Sequence, residues 1–293
     1  MLQEKRNFIE VVGPISEIDL KPNAQKGTGR EYISGTVTIK TEDKINGEIK
    51  PVEIPFNVFA FKDKNNGDPN PAYKSLMDVK ENYVSIAACG NEQEATYVRV
   101  VTDKGGIREN SFYGRDGRLV ETARPSATFF NIVDPTRYEK RARFETVIFI
   151  TGIDDELDRE GVPTGRLVVT GAVPGYNGTI NKIKYIADGK DKIEHISTYW
   201  NKSDTVVVAG TIAYTTTIDK VERDMGFGDP IVETRTRTKR ELVINSGSRT
   251  ALEAEEAFDA KEIFDAIKER KAKLEELKNK ATEKPAAPAD YGF

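Results

Sequence analysis

Apolar and polar residues alternate along most of this chain with the period of two that marks strands having one buried face. Between Glu31 and Lys40, Ile33, Val37 and Ile39 fall on one side; Tyr32, Ser34, Thr36, Thr38 and Lys40 fall on the other. Between Val52 and Phe61, the apolar side holds Val52, Ile54, Phe56, Val58 and Ala60, leaving Phe59 and Phe61 on the opposite side. A β-branched strand, Phe8–Leu20, precedes them, followed by a polar loop over 21–29. Asn46-Gly47 predicts a tight hairpin. Asn70–Val79 reads as a short helix, Tyr83–Cys89 and Ala95–Val101 as strands. Asp116-Gly117 predicts a second hairpin between Ser111–Arg115 and Arg118–Thr122.

The same succession then returns. Gly29-Arg30-Glu31-Tyr32-Ile33-Ser34-Gly35-Thr36-Val37 reappears as Gly165-Arg166-Leu167-Val168-Val169-Thr170-Gly171-Ala172-Val173, at a spacing of 136, and Phe8-Ile9-Glu10 matches Phe144-Glu145-Thr146 at the same spacing. Leu119–Thr122 recurs as Ile231–Thr234 at a spacing of 112. Strands are predicted over Phe144–Ile153, Gly165–Val173 and Lys182–Ala187, a helix over Asp191–Tyr199, and two long strands over Thr205–Ile218 and Ile231–Asn245. Three strands, a short helix and a two-strand hairpin form the chain order of the five-stranded oligonucleotide/oligosaccharide-binding (OB) barrel. The expectation is a mainly all-β chain with two such barrels in tandem, residues 1–137 and 138–250. After Thr250, the apolar residues Ala260, Ile263, Phe264, Ile267, Leu274 and Leu277 follow a helical stripe, predicting a helix over 251–280. Pro285 and Pro288 stop it, leaving a flexible tail over 281–293.

Composition narrows the function classes. No stretch approaches the ~20 apolar residues of a membrane span, so no membrane partner is expected. The N-terminus carries no apolar signal-peptide core, and one cysteine, Cys89, excludes an internal disulfide framework; a reducing cytoplasm is the expected compartment. The net charge of −4 is uneven: residues 251–293 hold 11 acidic and 8 basic residues, so the body is nearly neutral. With His195 and Cys89 each alone of its kind, a zinc site or Cys–His catalysis is not expected. Asp154, Asp155, Glu156 and Asp158 do not match a calcium-loop spacing and read as a solvated loop. No enzymatic activity, cofactor or metal is expected.

The positive signal is basic and aromatic. In Glu233–Glu241, Arg235, Arg237 and Lys239 project from one strand face roughly 7 Å apart. That spacing suits successive phosphates of an extended strand; cross-strand ion pairs to Asp219, Glu222 or Asp224 are the competing reading. Tyr32, Phe59 and Phe61, beside Lys40 and Lys62, are placed to stack bases on an exposed barrel face, or to pack against the second module or the C-terminal helix. Phe56, Phe144, Phe149 and Tyr185 read as core, and Trp200 as a plug at a barrel base. The second module offers Arg166, Lys182 and Lys184 on the corresponding strands. The hairpin tips pair rings with charge: Phe112, Tyr113, Arg115 and Arg118 in the first, Arg223 and Phe227 in the second.

The chain resembles tandem-barrel single-stranded DNA-binding proteins of phages and bacteria. The resemblance rests on the two Gly-Arg…Gly strands, the Ser111–Phe130 hairpin, the Trp200-Asn-Lys-Ser-Asp-Thr-Val-Val-Val-Ala-Gly-Thr-Ile run and Glu241-Leu-Val-Ile-Asn245. It implies sequence-tolerant binding of single-stranded DNA in replication, recombination or repair, in the bacterial host's cytoplasm if phage-encoded. Such families often end in a flexible, phenylalanine-tipped tail that recruits replication proteins. Asp290, Tyr291 and Phe293 resemble that tip, with a single acid where the family has several. An RNA-binding barrel protein, or a non-catalytic structural or adaptor (virion) protein, are the alternatives.

Overall fold

A computed structural model describes residues 2–45, 48–114, 117–158, 160–223 and 231–283. Its elements are β1 (Asn7–Ala24), β2 (Glu31–Ile45), β3 (Glu48–Phe61), α1 (Pro71–Asn82), α2 (Ile86–Cys89), β4 (Tyr97–Thr102), β5 (Ile107–Tyr113), β6 (Leu119–Pro125), β7 (Asn131–Ile132), β8 (Arg141–Leu157), β9 (Pro163–Pro174), β10 (Ile180–Ala187), α3 (Lys190–Tyr199), β11 (Thr205–Arg223), β12 (Ile231–Gly247) and α4 (Ala260–Glu283). The fold is mainly β with a C-terminal helix, as the alternation predicts. Two segments differ. Asp154, Asp155 and Glu156 are not a solvated loop but the end of β8, paired with β9, and Glu156 is drawn in by its ion pair with Arg166. Tyr83–Cys89 is not a strand. Tyr83 ends α1 and anchors its hydroxyl on the Phe130 carbonyl at 2.9 Å. Ile86–Cys89 then makes a single helical turn that closes on Gly90, whose φ of +74° suits glycine. The apolar run was long enough for a strand, but the turn between Ser85 and Gly90 decides it.

In the second module the strands close on themselves. β8 pairs with β9, β9 with β10, β10 in parallel with β12, β12 with β11, and β11 with β8. That circuit is a five-stranded ring in the expected order. The first module has the same opening, β1–β2–β3 followed by a helix, but among the described residues its circuit stays open. Where the second module has one continuous hairpin, β11–β12, the first has two pieces. β4 and β7 stay on the main sheet, while β5 and β6 form a separate two-stranded sheet. The break is pinned by buried Asn7, whose amide bonds both the carbonyl and the N–H of Ile107 at 2.9 and 3.0 Å. The freed hairpin lies on β10 of the second module. There the Glu109 N–H donates to the Asn181 side chain (3.0 Å), and from β11 the Tyr214 hydroxyl donates to the Ala123 carbonyl (3.2 Å).

Each module's first strand changes partner at a bulge, between Ile15 and Glu17 in β1 and between Ile150 and Gly152 in β8. The N-terminal part of β1 also pairs antiparallel with β8, from Asn7↔Thr146 to Val12↔Arg141, so one sheet crosses both modules. The glycine repeated in both copies has a steric cause. A Cβ on Gly35 would stand 1.8 Å from the Asp19 carbonyl oxygen, and one on Gly171 would stand 2.8 Å from Ile148 Cβ.

Ile9, Val37, Phe56, Phe144 and Tyr185 belong to one apolar core, with Phe144 and Tyr185 rings 5.5 Å apart. Trp200 lies in the same core and donates its indole N–H to the Ser248 carbonyl at 3.0 Å. Burial of each such side chain is worth about 1.5–3 kcal/mol. Phe149 lies instead in a second apolar cluster, with Val147, Ala172 and Ile180 from the barrel's outside and Phe258 and Ile263 from the C-terminal segment. No described helix is long and apolar enough to cross a membrane.

Candidate nucleic-acid interface

The alternation that buries Ile33 and Ala60 turns Tyr32, Phe59 and Phe61 outward on neighbouring strands. Tyr32 pairs across with Phe61, and Ser34 with Phe59. The three rings form a cluster: Phe59–Phe61 centroids lie 4.9 Å apart and perpendicular, Tyr32–Phe59 5.1 Å, and Tyr32–Phe61 6.1 Å. Phe59 is 55% exposed, a large cost in apolar surface left facing water. Arg30 places its guanidinium 3.9 Å from the Phe61 centroid. It also donates to the Asp63 carbonyl at 2.7 Å and to Asn65 Oδ1 at 3.1 Å, both neutral acceptors. These bonds tie the β3–α1 connection to the cluster. Lys62 stands at its rim in an ion pair with Glu31, which raises the lysine's pKa.

Arg30 was not among the candidates read from the sequence. The signal was present, since Gly-Arg is the repeated dipeptide, but it spoke first of the fold.

Its repeat counterpart Arg166 lies in a different setting. Arg166 makes two bonds to Glu156 (2.7 and 2.6 Å) and two to Glu241 (2.7 and 3.4 Å), and is largely buried. The hydrogen bond from Arg166 holds the Glu156 carboxyl down to about 2, outweighing burial, and the same contact raises the guanidinium. Lys239 joins this group 2.8 Å from Glu241. Arg166 and Lys239 are therefore committed to carboxylates.

The other basic candidates scatter. Lys40 lies eight residues along β2 from Tyr32, about 26 Å by strand rise, and bonds Glu92 at 2.7 Å beside Lys140. Lys182 approaches Glu121 at 3.4 Å, and Lys184 is exposed on the same face of β10. Phe112 is exposed and Tyr113 half-buried on β5, with Arg118 exposed beyond the turn. The register sets Arg235 opposite Asp219, Arg237 opposite Thr217 and Lys239 opposite Thr215, and ends β11 at Arg223. The side chains of Arg223, Arg235 and Arg237 lie outside the described residues, as do Arg115, Phe227, Asp290, Tyr291 and Phe293.

The second module's outward face matches the first by register. Val168 pairs with Ile186, Thr170 with Lys184 and Ala172 with Lys182, where the first has Tyr32 with Phe61, Ser34 with Phe59 and Thr36 with Asn57. It is not equally open. Ala172 and Ile180 are buried beneath the C-terminal segment, and Thr170 is only 8% exposed. A groove of about 950 Å³ remains beside α4, lined by Val168, Lys182, Lys184, Ile186, Arg270 and Leu274 among others. Two residues the sequence did not single out organise this region. Glu109 accepts from the Lys182 N–H at 2.6 Å and from Arg270, which also bonds Glu121 at 2.7 Å. Nothing in the one-dimensional pattern brings Glu109 to Arg270, 161 positions apart. Among the described residues no cluster of three or more His, Cys, Asp or Glu side chains is arranged to hold a metal.

Among solved structures, the chain is similar to the single-stranded DNA binding protein from Thermus aquaticus. A deletion mutant of that protein aligns with a TM-score of 0.48 and 10% identity, over 85% of this chain and 97% of that one. The wild-type form aligns with a TM-score of 0.48 and 9% identity, over 85% and 95%. No curated protein matches. The family model described as YorF matches residues 5–280, and the chain belongs to the YorF family.

Proposed function

We propose that the chain binds single-stranded DNA without sequence preference and without catalysis, its first seat being the Tyr32–Phe59–Phe61 cluster. The observation that carries this reading is three mutually touching aromatic rings on an outward strand face, with a guanidinium stacked on one of them. Every base has a π-face, so such a platform accepts any sequence, and Arg30 and Lys62 stand where phosphates pass. The second module contributes Lys182 and Lys184, with charge rather than rings. The biological setting fitting this activity is replication, recombination or repair in a cytoplasm, with the Asp290–Phe293 tip engaging replication proteins.

Fluorescence anisotropy with labelled oligo-dT, a duplex and the matching RNA tests the reading. Preference for oligo-dT over duplex, falling as salt rises, is the expected result. Equal binding to single strand and duplex, or none at low salt, overturns it. Stronger binding of the RNA replaces DNA by RNA as the ligand.

A further inference from the structure

The hairpin β5–β6 divides its charges between two faces. Glu109, Ser111 and Tyr113 pair across with Ala123, Glu121 and Leu119, while Arg108, Asn110 and Phe112 pair with Arg124, Thr122 and Val120. Strand alternation puts the first set on one side of the ribbon and the second set on the other. The acids of the first side are spent on the second module and α4: Glu109 accepts from the Lys182 N–H and from Arg270, and Glu121 accepts from Arg270 and Lys182. The second side carries no acid of its own, and Arg108, Asn110 and Phe112 are all exposed on it, Phe112 at 44%. There Arg108 and Arg124 stand directly opposite each other, with Cβ atoms about 5 Å apart, an arrangement of like charges that costs the hairpin stability. Arg108 donates to a neutral acceptor, the Gly105 carbonyl, at 3.3 Å, and the Nε of Arg124 is buried without a hydrogen-bond partner. Glu4 brings one carboxylate to the Gly105 end of the pair, and Asp103 is taken by Arg6 at 3.8 Å. Among the described residues neither Arg108 nor Arg124 makes an ion pair, so one acid faces two guanidiniums.

We propose that Arg108 and Arg124 clamp one phosphodiester group of a bound single strand on the outer face of β5–β6, with Phe112 stacking a base farther along the same face. The inference rests on the single-strand reading and adds a contact surface to it. A guanidinium offers its donors in a planar fork that matches phosphate oxygens, and two forks facing each other across a strand pair close on one anion from both sides. The anion also relieves the repulsion that the empty pair suffers. Phe112 lies four residues along β5 from Arg108, about 13 Å by strand rise, and is reached by the same extended strand. The departure of the hairpin from its own sheet makes this possible: one face is used to dock on the second module, and the other is left open. β3, the strand of Phe59 and Phe61, packs against β6, so both contact surfaces belong to neighbouring strands of the first module.

Oligo-dT titrations across a range of salt, on the full-length chain carrying both Arg108→Gln and Arg124→Gln, test the clamp. Glutamine keeps a polar side chain of similar reach and removes only the charge. The expected result is affinity down roughly tenfold at low salt and a dependence of log K on log salt flatter by about 1.4, two contacts of about 0.7 each. The denaturant midpoint of the same variant should equal or exceed the parent's, because a like-charge pair has been removed. Lysine at both positions should restore the salt slope and only part of the affinity, since it returns the charges without the forks. Phe112→Ala should weaken binding with the slope unchanged. Parent-like affinity and slope in the double glutamine variant overturn the clamp and leave the single-strand reading standing. Lost affinity with a lowered midpoint and an unchanged slope overturns it too, by assigning the pair to the fold. Absence of oligo-dT binding by the parent chain removes both readings.

Discussion

The outward faces of the two modules share a register and differ in almost everything built on it. Phe61 and Phe59 stand opposite Tyr32 and Ser34 in the first; Ile186 and Lys184 stand opposite Val168 and Thr170 in the second. The first face is open, with touching rings. The second is narrowed by α4 and by a hairpin from the other module. The arginine beginning each strand follows the same divergence. Arg30 donates to a backbone carbonyl and an amide oxygen, and its charge remains available. Arg166 donates to two carboxylates, and its charge is spent within the fold. A repeated residue keeps its place in the backbone while its acceptors, neutral or anionic, set its task.

The largest effect that separates the two faces concerns those arginines. Arg166→Ala leaves Glu156 and Glu241 without their main partner in a largely buried site. It should cost about 3–5 kcal/mol in denaturant unfolding, with oligo-dT affinity of the folded protein unchanged. Arg30→Ala should do the reverse: stability within about 1 kcal/mol of the parent, and affinity down several-fold. Equal stability losses in the two variants would end the distinction between them.

Next comes acid. Glu156 has an ordinary pKa of 4.5 and is held at about 2 in the folded chain, so it binds its proton more weakly when folded than when unfolded. The stability it contributes, on the order of 2–3 kcal/mol, is complete above the unfolded value and is lost as pH falls from about 4.5 toward 2. Unfolding curves of wild type and Glu156→Gln should therefore converge across that window, and a gap that persists at the acid end would contradict the pairing.

Phe59→Ala should weaken oligo-dT binding by about 1–3 kcal/mol with the salt slope unchanged, because it removes a stacking surface and no charge. Its register counterpart, Lys184→Ala, should have the smallest effect on affinity but should flatten the dependence of log K on log salt by about 0.7, one phosphate contact. If both variants alter affinity and leave the slope alone, the second face makes no phosphate contact through Lys184.

Much of this contrast is legible before folding. Period-two alternation separates Phe59 and Phe61 from Phe56 and Val58, and the repeated Gly-Arg strand aligns the modules. What the pattern hides is where long-range partners fall. Alternation marks Arg166 as outward, and the chain then brings Glu241 across from β12 to cover it, 75 positions away. The same limit applies to the first module's broken hairpin. Asp116-Gly117 predicts a hairpin, and β5 and β6 pair as one, although Asp116 lies outside the described residues; the buried Asn7, bonded to Ile107 one hundred positions on, sits where the hairpin leaves the main sheet. Tyr83–Cys89 failed for a local reason, since an apolar tetrapeptide between Ser85 and Gly90 satisfies a helical turn as readily as a strand.

The pairing of β1 with β8 has a consequence for how the chain is free to vary. Expressed in the first module's numbers through the spacing of 136, Asn7↔Thr146 joins position 7 to position 10, and Glu10↔Arg143 joins position 10 to position 7. The contact maps onto itself, as the edge between two identical subunits related by a two-fold axis does. In an assembly of identical copies those two pairs would have to be the same. Here one is an amide beside a hydroxyl. The other is a carboxylate, 2% exposed, ringed by Arg99, Arg141 and Arg143. Covalent fusion lets each edge be edited once rather than twice, so a charged cluster can be installed on one side without its mirror image, and the two halves no longer depend on concentration to meet.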